Sequence, residues 1–275
     1  MGSAEHDYVV VGHVVIDIDV ETGARTPGGS ALYSGLQAAR LGRRTLLITA
    51  GDPDELNEVL ATYAGEFDLL VQPRRSTTTF VTSGLGLERT QRRTGWAGEI
   101  EDPGPLAASI LHIAPVAHET SPVRTDPGGF VGVTPQGLIR RWDDDGAPSY
   151  VALEPALMPS RFDALVLDVV ERGYCSAVVD AAAATGAIVA VTAGADGVEI
   201  VNTGARLPSI EPETLTEDLG AGDVFSAAFF IALHDGWDPI DAARFGHAAA
   251  AVRLAGHGPA AVGRREAIER LYASG

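Results

Sequence analysis

The chain has 275 residues, 45% of them hydrophobic, and a formal charge of −17 from 20 basic and 37 acidic residues. That length closes around one large core, the charge disfavours a nucleic-acid partner, and no apolar run approaches the roughly 20 residues of a membrane helix. Every basic residue is arginine, which excludes Walker-type loops, protein-kinase chemistry and Schiff bases, all built on a lysine amine.

The lone Cys175 excludes an intrachain disulfide and reads as a structural thiol. The N-terminal residues lack the basic-then-apolar pattern of a signal peptide, so no membrane partner and a cytoplasmic location are expected. An anionic ligand entering so acidic a protein needs local compensation from backbone amides, arginines or a divalent ion.

In chain order, residues 7–12 form a β-branched run that reads as a buried strand continuing to Asp17. Gly28-Gly29-Ser30 then precedes a helix over 31–41 that ends at Gly42. A strand over 44–49, a helix over 55–63 and a strand over 67–71 follow. Residues 77–87 and 89–98, rich in Thr, Arg and Gly, break the alternation and read as an exposed hairpin, either a lid or a plain edge. Buried strands follow at 110–114, 131–133, 164–167 and 188–192, with a helix over 176–184. Strands alternating with helices at this spacing predict a mainly parallel sheet covered on both faces, with ligands at the carboxyl ends of its strands.

The most informative stretch is Gly220-Ala221-Gly222-Asp223, a glycine-rich turn running into the apolar residues 224–231. Such a turn opens a helix N-terminus to an anion. Asp223 beside a bound phosphate has the position of a general base for an attacking alcohol, although as a bare GxGD it also fits a helix cap.

Gly220-Ala221-Gly222-Asp223, followed by an aromatic and small residues, resembles the C-terminal signature of the ribokinase-like PfkB carbohydrate kinases. Gly28-Gly29 through Leu41-Gly42 resembles their diglycine-to-helix segment, and Thr192-Ala193-Gly194-Ala195-Asp196-Gly197 their nucleotide-contacting TxGxxG turn. Residues 245–251 resemble their late, adenine-side helix. The matches fall in family order over residues 7–270.

The resemblance implies a single domain over 1–275, a ribokinase-like α/β three-layer sandwich with a mostly parallel central sheet and a small β lid from about 17–28 and 77–98. It implies an ATP-dependent kinase for an alcohol group of a small sugar, cyclitol or nucleoside, with ATP as co-substrate and Mg2+ as cofactor, acting as a monomer or a lid-mediated homodimer. Asp223 is then the general base, and the amides of Gly220, Ala221, Gly222 and Asp223 form the anion hole. Substrate binding falls to Asp17, Gly28, Gly29 and Tyr33, and nucleotide binding to Thr192, Gly194, Gly197 and His247. Asp168 and Glu171 stand where the family carries an NxxE motif that organises magnesium.

Three departures bear on specificity. Tyr33 replaces the asparagine common in sugar kinases. Glu217-Asp218-Leu219 replaces the Asp-Thr-x beside the family's monovalent-cation loop, so the resemblance does not by itself imply potassium activation. His247 replaces a frequent adenine-side asparagine. Arg89, Arg92 and Arg93 read either as a solvated hairpin face or as phosphate or substrate contacts, while Glu119 reads as a cleft or loop carboxylate. His112 and His118 lack ligand spacing, and Asp143-Asp144-Asp145 reads as an exposed turn rather than a calcium loop. The rival reading is a non-catalytic sugar- or nucleotide-binding protein of the same fold. An oxidoreductase is disfavoured because no GxGxxG follows the first strand.

Overall fold

Short β-branched runs bounded by turn residues build the centre of the molecule. The computed structural model describes residues 6–84, 89–104, 106–121 and 129–274. The chain enters as β1 (His6–Val11), β2 (Val15–Asp19) and β3 (Arg25–Gly28), then α1 (Ser30–Arg40), β4 (Thr45–Gly51), α2 (Pro53–Leu60) and β5 (Asp68–Pro73). Strands β6 (Thr79–Ser83) and β7 (Thr90–Gly95) precede β8 (Ala108–Ile113) and β9 (Phe130–Val133). A one-turn helix α3 (Gln136–Ile139) leads into β10 (Arg140–Trp142) and β11 (Pro148–Tyr150). Next come β12 (Ala164–Asp168), α4 (Val169–Thr185), β13 (Ile188–Thr192), β14 (Val198–Ile200) and β15 (Ala205–Leu207). Helices α5 (Ala221–His234), α6 (Pro239–Leu254) and α7 (Arg265–Ser274) complete the order.

The main 9-stranded sheet runs β15-β14-β13-β12-β9-β8-β1-β4-β5. From β13 to β5 every pairing is parallel, and β14 and β15 add an antiparallel edge. From β1 the chain goes one way to β4 and the other way to β8, so the switch point lies between β1 and β8, where such sheets open a crevice at their carboxyl ends. Parallel strands buried on both faces read as continuous apolar runs, and two core clusters result. One packs α1, α5 and α6 on one face, with Leu36, Phe229 and Ala248 among its members; the other packs α4 on the opposite face through Cys175, Val178 and Val179. Burial pushes the Cys175 thiol up to about 12, an inert state.

A separate 4-stranded sheet, β3-β2-β6-β7, stands beside the crevice. Phe80 and Val15 tie it to Val116 and Ala117, and Phe80 stacks on Trp142 with centroids 5.1 Å apart. The hairpin between β6 and β7 was expected over 77–98, and its residues 85–88 lie outside the described residues. Among the described residues no helix is long and apolar enough to cross a membrane.

The structure corrects three sequence-based boundaries. The strand expected to run on to Asp17 is two strands in two sheets: an added Cβ at Gly12 would overlap the Ala114 carbonyl, and the His13 amide is taken by Glu119. Helix α4 begins at Val169 rather than 176, because Asp168 and Glu171 form a capping box at its start. Helix α2 begins after the Asp52 cap with Pro53 in its first turn, and ends at Leu60.

Glu119 is neither a cleft carboxylate nor a solvated one. It is wholly buried and accepts hydrogen bonds from the amides of His13 (2.8 Å), Val116 (2.9 Å) and Ala117 (2.6 Å). It thereby ties the loop after β1 to the loop after β8 at the switch point. Glu119→Ala strands those buried donors, so unfolding in urea is expected to show a loss of about 3 kcal/mol or more with an unchanged slope.

Candidate active site

Two glycine turns meet under the crevice. Gly29 (φ 93°) caps α1 and Gly220 (φ 81°) caps α5, both in backbone conformations that an L side chain adopts only under strain. At Gly220 an added Cβ would also overlap the Tyr33 ring, which lies against the turn from α1. The Ser34 hydroxyl donates to the Asp223 carbonyl at 3.2 Å and so fastens α1 to α5.

Helix α5 has no side-chain cap. Its Val224 amide reaches Gly220 O and its Ala221 amide Asp218 O, whereas the amides of Gly222 and Asp223 have no partner among the described hydrogen bonds. An added Cβ at Gly222 meets nothing within 4 Å. Free donors, open space and the positive end of a 14-residue helix converge there, which suits an anion.

These turns line a cavity of about 780 Å³ that also takes in Asp17, Tyr33, Asp168, Thr192, Asp223 and His247. Burial pushes Asp223 up to about 6, while a Ser30 hydrogen bond and the charges of Arg140 and Arg253 pull it back down. Asp17 is likewise raised to about 6, first by burial and then by Glu217, against Thr82, Arg89 and Arg140. Two carboxyls raised by burial share one cavity, the arrangement that marks candidate functional groups.

Other sequence candidates are placed differently. Gly29 lines the cavity, but Gly28 sits behind it, where an added Cβ would overlap the Asp17 carboxylate. Gly194 lines the cavity, whereas Gly197 (φ 95°) is not among the lining residues and packs its turn onto the Leu207 carbonyl. Asp168 lines the cavity: its Oδ1 accepts the Glu171 amide at 2.7 Å, and its Oδ2 carries none of the described hydrogen bonds. Glu171 is buried and turns back to accept the Asp168 amide at 3.0 Å; burial, then the Asp168 charge, raises its pKa. Among the described residues no three His, Cys, Asp or Glu side chains cluster as metal ligands.

Of the hairpin arginines, Arg89 enters the cavity and pairs with Asp218, in the loop just before the Gly220 turn. Arg93 instead stacks between Trp96 and Trp142. His112 is a core residue held by Tyr8 and Thr134, and burial lowers it to about 3. Sequence reasoning passed over Gln91 and above all Arg140. Arg140 lines the cavity, has no ion pair among the described residues and leaves Nε buried without a partner. Nothing in a short Arg-Arg-Trp strand announces such a position.

The comparisons bear on the fold and on one segment of the sequence. Residues 171–264 match the model of the pfkB family carbohydrate kinases. A 5-dehydro-2-deoxygluconokinase of Clostridium tetani is 44% identical over 46 residues, which are 17% of this chain and span only 14% of that relative's length. Among solved structures, a pyrophosphate-dependent kinase in the ribokinase family, complexed with a pyrophosphate analog and myo-inositol, superposes with a TM-score of 0.74 at 19% identity, covering 95% of this chain and 99% of that one. Arabidopsis thaliana ribokinase complexed with ribose and ATP gives 0.74 at 18%, covering 97% and 98%. Burkholderia thailandensis nucleoside kinase in complex with inosine gives 0.73 at 16%, covering 97% of each chain. The fold and site define a ribokinase-like α/β protein. Within that fold, residues 171–264 are the part similar to the pfkB family of carbohydrate kinases.

Proposed function

We propose that this protein transfers the γ-phosphoryl group of ATP to an alcohol on a small polyhydroxy compound, a sugar or cyclitol before a nucleoside. The observation that carries this reading is the Asp223 carboxyl, raised to about 6, on the first turn of a helix whose Gly222 and Asp223 amides are unengaged. The acceptor oxygen attacks phosphorus, the bond to the bridging oxygen of ADP breaks, and the hydroxyl proton passes to Asp223. Free amides at the helix end stabilise the charge on the transferring group.

Asp17, opposite Phe80 in the second sheet, together with Arg140 and Gln136 supplies polar contacts at the acceptor end of the cavity. Mg2+ fits Asp168, a hard oxygen donor with one carboxylate oxygen unused, better than it fits Glu171, which is occupied by the helix cap. Bound there, magnesium would supply charge neutralisation on the donor phosphates.

The other end of the cavity decides the donor. It is walled by α6, through His247, Ala250, Ala251 and Leu254, and by residues 209–215, whose charged side chains are Glu211 and Glu213. Burial keeps His247 neutral, lowered to about 4, and leaves its Nε2 without a partner. An apolar slot with a neutral imidazole suits a purine base. It offers bare pyrophosphate, the donor of one structurally similar pyrophosphate-dependent kinase, no cation among its described residues.

The test is phosphorylated-product formation with Mg-ATP or Mg-pyrophosphate across neutral sugars, inositols, polyhydroxy acids and nucleosides. Turnover with ATP and none with pyrophosphate is the expected result. Turnover with pyrophosphate alone refutes the donor assignment. Specific binding of an acceptor with no turnover from either donor supports a binding protein on this fold.

A further inference from the structure

The largest wholly buried side chain is not a hydrophobe but Arg253, in the last turn of α6. A guanidinium out of water needs compensation from every side, and the partners it has found all belong to the machinery around Gly220. Its Nη2 donates to Glu217 Oε2 at 2.9 Å and to the Tyr33 hydroxyl at 3.4 Å, and its Nη1 donates to the Gly256 carbonyl at 2.8 Å. Its Cζ lies 5.1 Å from the centre of the Tyr33 ring, within cation–π range. The same Glu217 oxygen accepts the Gly258 amide at 2.6 Å. Tyr33 in turn lies against Gly220, and the positive charge of Arg253 is among those that hold Asp223 down.

We infer that Arg253 is a built-in cation for this site: a positioning residue that clamps residues 217–220 and Tyr33 so that the Gly222 and Asp223 amides face the cavity. This rests on the phosphotransfer reading of that turn. Glu217 and the Gly256 carbonyl, oxygen acceptors of the kind that bind an alkali cation, are already occupied by the chain's own guanidinium. The wild-type enzyme therefore has no requirement for a monovalent cation. The arrangement also explains why Glu217 and Tyr33 occur together in one chain: the longer carboxylate reaches the guanidinium, and the ring covers it.

The test combines turnover and thermal unfolding of wild type, Arg253→Ala and Arg253→Lys in choline, sodium, potassium and millimolar guanidinium chlorides. Wild type is expected to respond equally to all four. Arg253→Ala is expected to lose about 100-fold in kcat through misplacement of the turn, with a smaller change in the acceptor KM and an acid limb displaced to higher pH. Guanidinium, or a small alkali cation, should restore part of its kcat and raise its Tm, and Arg253→Lys should retain more activity than Arg253→Ala.

Potassium activation of wild type over choline overturns the inference, as does an Arg253→Ala protein whose lost turnover no cation restores. If Arg253→Ala does not fold, the cation response of wild type and the turnover of Arg253→Lys decide. If wild type turns over no acceptor, the phosphotransfer reading has failed. The clamp is then judged by Tm alone, where guanidinium must stabilise Arg253→Ala and not wild type.

Discussion

Asp223→Asn is expected to reduce kcat by about 1,000-fold or more, the scale of a lost general base, while making the protein harder to unfold. The two effects share one cause. Asp223 is raised from 3.8 to about 6 by burial. Below pH 3.8 the carboxyl is neutral in both folded and unfolded chains. Between 3.8 and 6 the unfolded chain releases its proton while the folded protein keeps it, so stability falls as pH rises through that window. Above 6 the deficit is complete, on the order of 3 kcal/mol.

Asparagine keeps the shape and an acceptor for Ser30 without the charge, so at pH 7.5 its Tm should exceed that of wild type, and the gain should vanish towards pH 4. Wild-type kcat/KM should rise with pH to a plateau, with a midpoint near 6, because only the ionised base accepts the proton. Site residues that lower stability for the sake of activity are a common trade. A fall in Tm on Asp223→Asn would show the carboxylate to be a structural partner instead.

Gly220→Ala is expected to damage both stability and turnover. Gly220 has φ 81°, where a Cβ costs about 1–2 kcal/mol, and the same Cβ overlaps the Tyr33 ring, adding about 1–3 kcal/mol of overpacking. Turnover should fall further than stability does, since the turn that presents the amides must deform. The double variant with Tyr33→Ala separates the two parts. Removing the ring relieves the overlap and leaves the backbone strain, so part of the lost Tm should return while kcat stays low. Additive losses would mean that ring and turn do not touch in solution.

Much of the fold was legible because strand and helix periods differ and because turn glycines mark their borders. What misled was burial without contrast. Residues 7–17 are apolar on both sides of the break at Gly12 to Val14, since β1 lies inside the main sheet and β2 covers the crevice, so the pattern shows no seam. Asp168 and Glu171, read through a resemblance as magnesium groups, also carry an N-cap signature, and that local signal correctly starts α4.

At the site, Gly220 to Asp223 announced themselves by composition, and Tyr33 and Glu217 by departing from a pattern. Arg140 and Arg253 did not. An arginine's role depends on partners that the fold supplies, and those of Arg253 lie 36 and 220 residues away. The charge count of −17 hid the fact that Arg89, Arg140 and Arg253 are gathered around one cavity.

The most direct measurement of the central claim follows the label from γ-labelled ATP with wild type and Asp223→Asn over pH 5 to 8, using whichever acceptor binds. Label on the acceptor with wild type, rising through a midpoint near 6 and lost in the variant, is the expected result. Label transfer that persists in Asp223→Asn with the same pH profile would contradict Asp223 as the base and, with it, the mechanism drawn from this site.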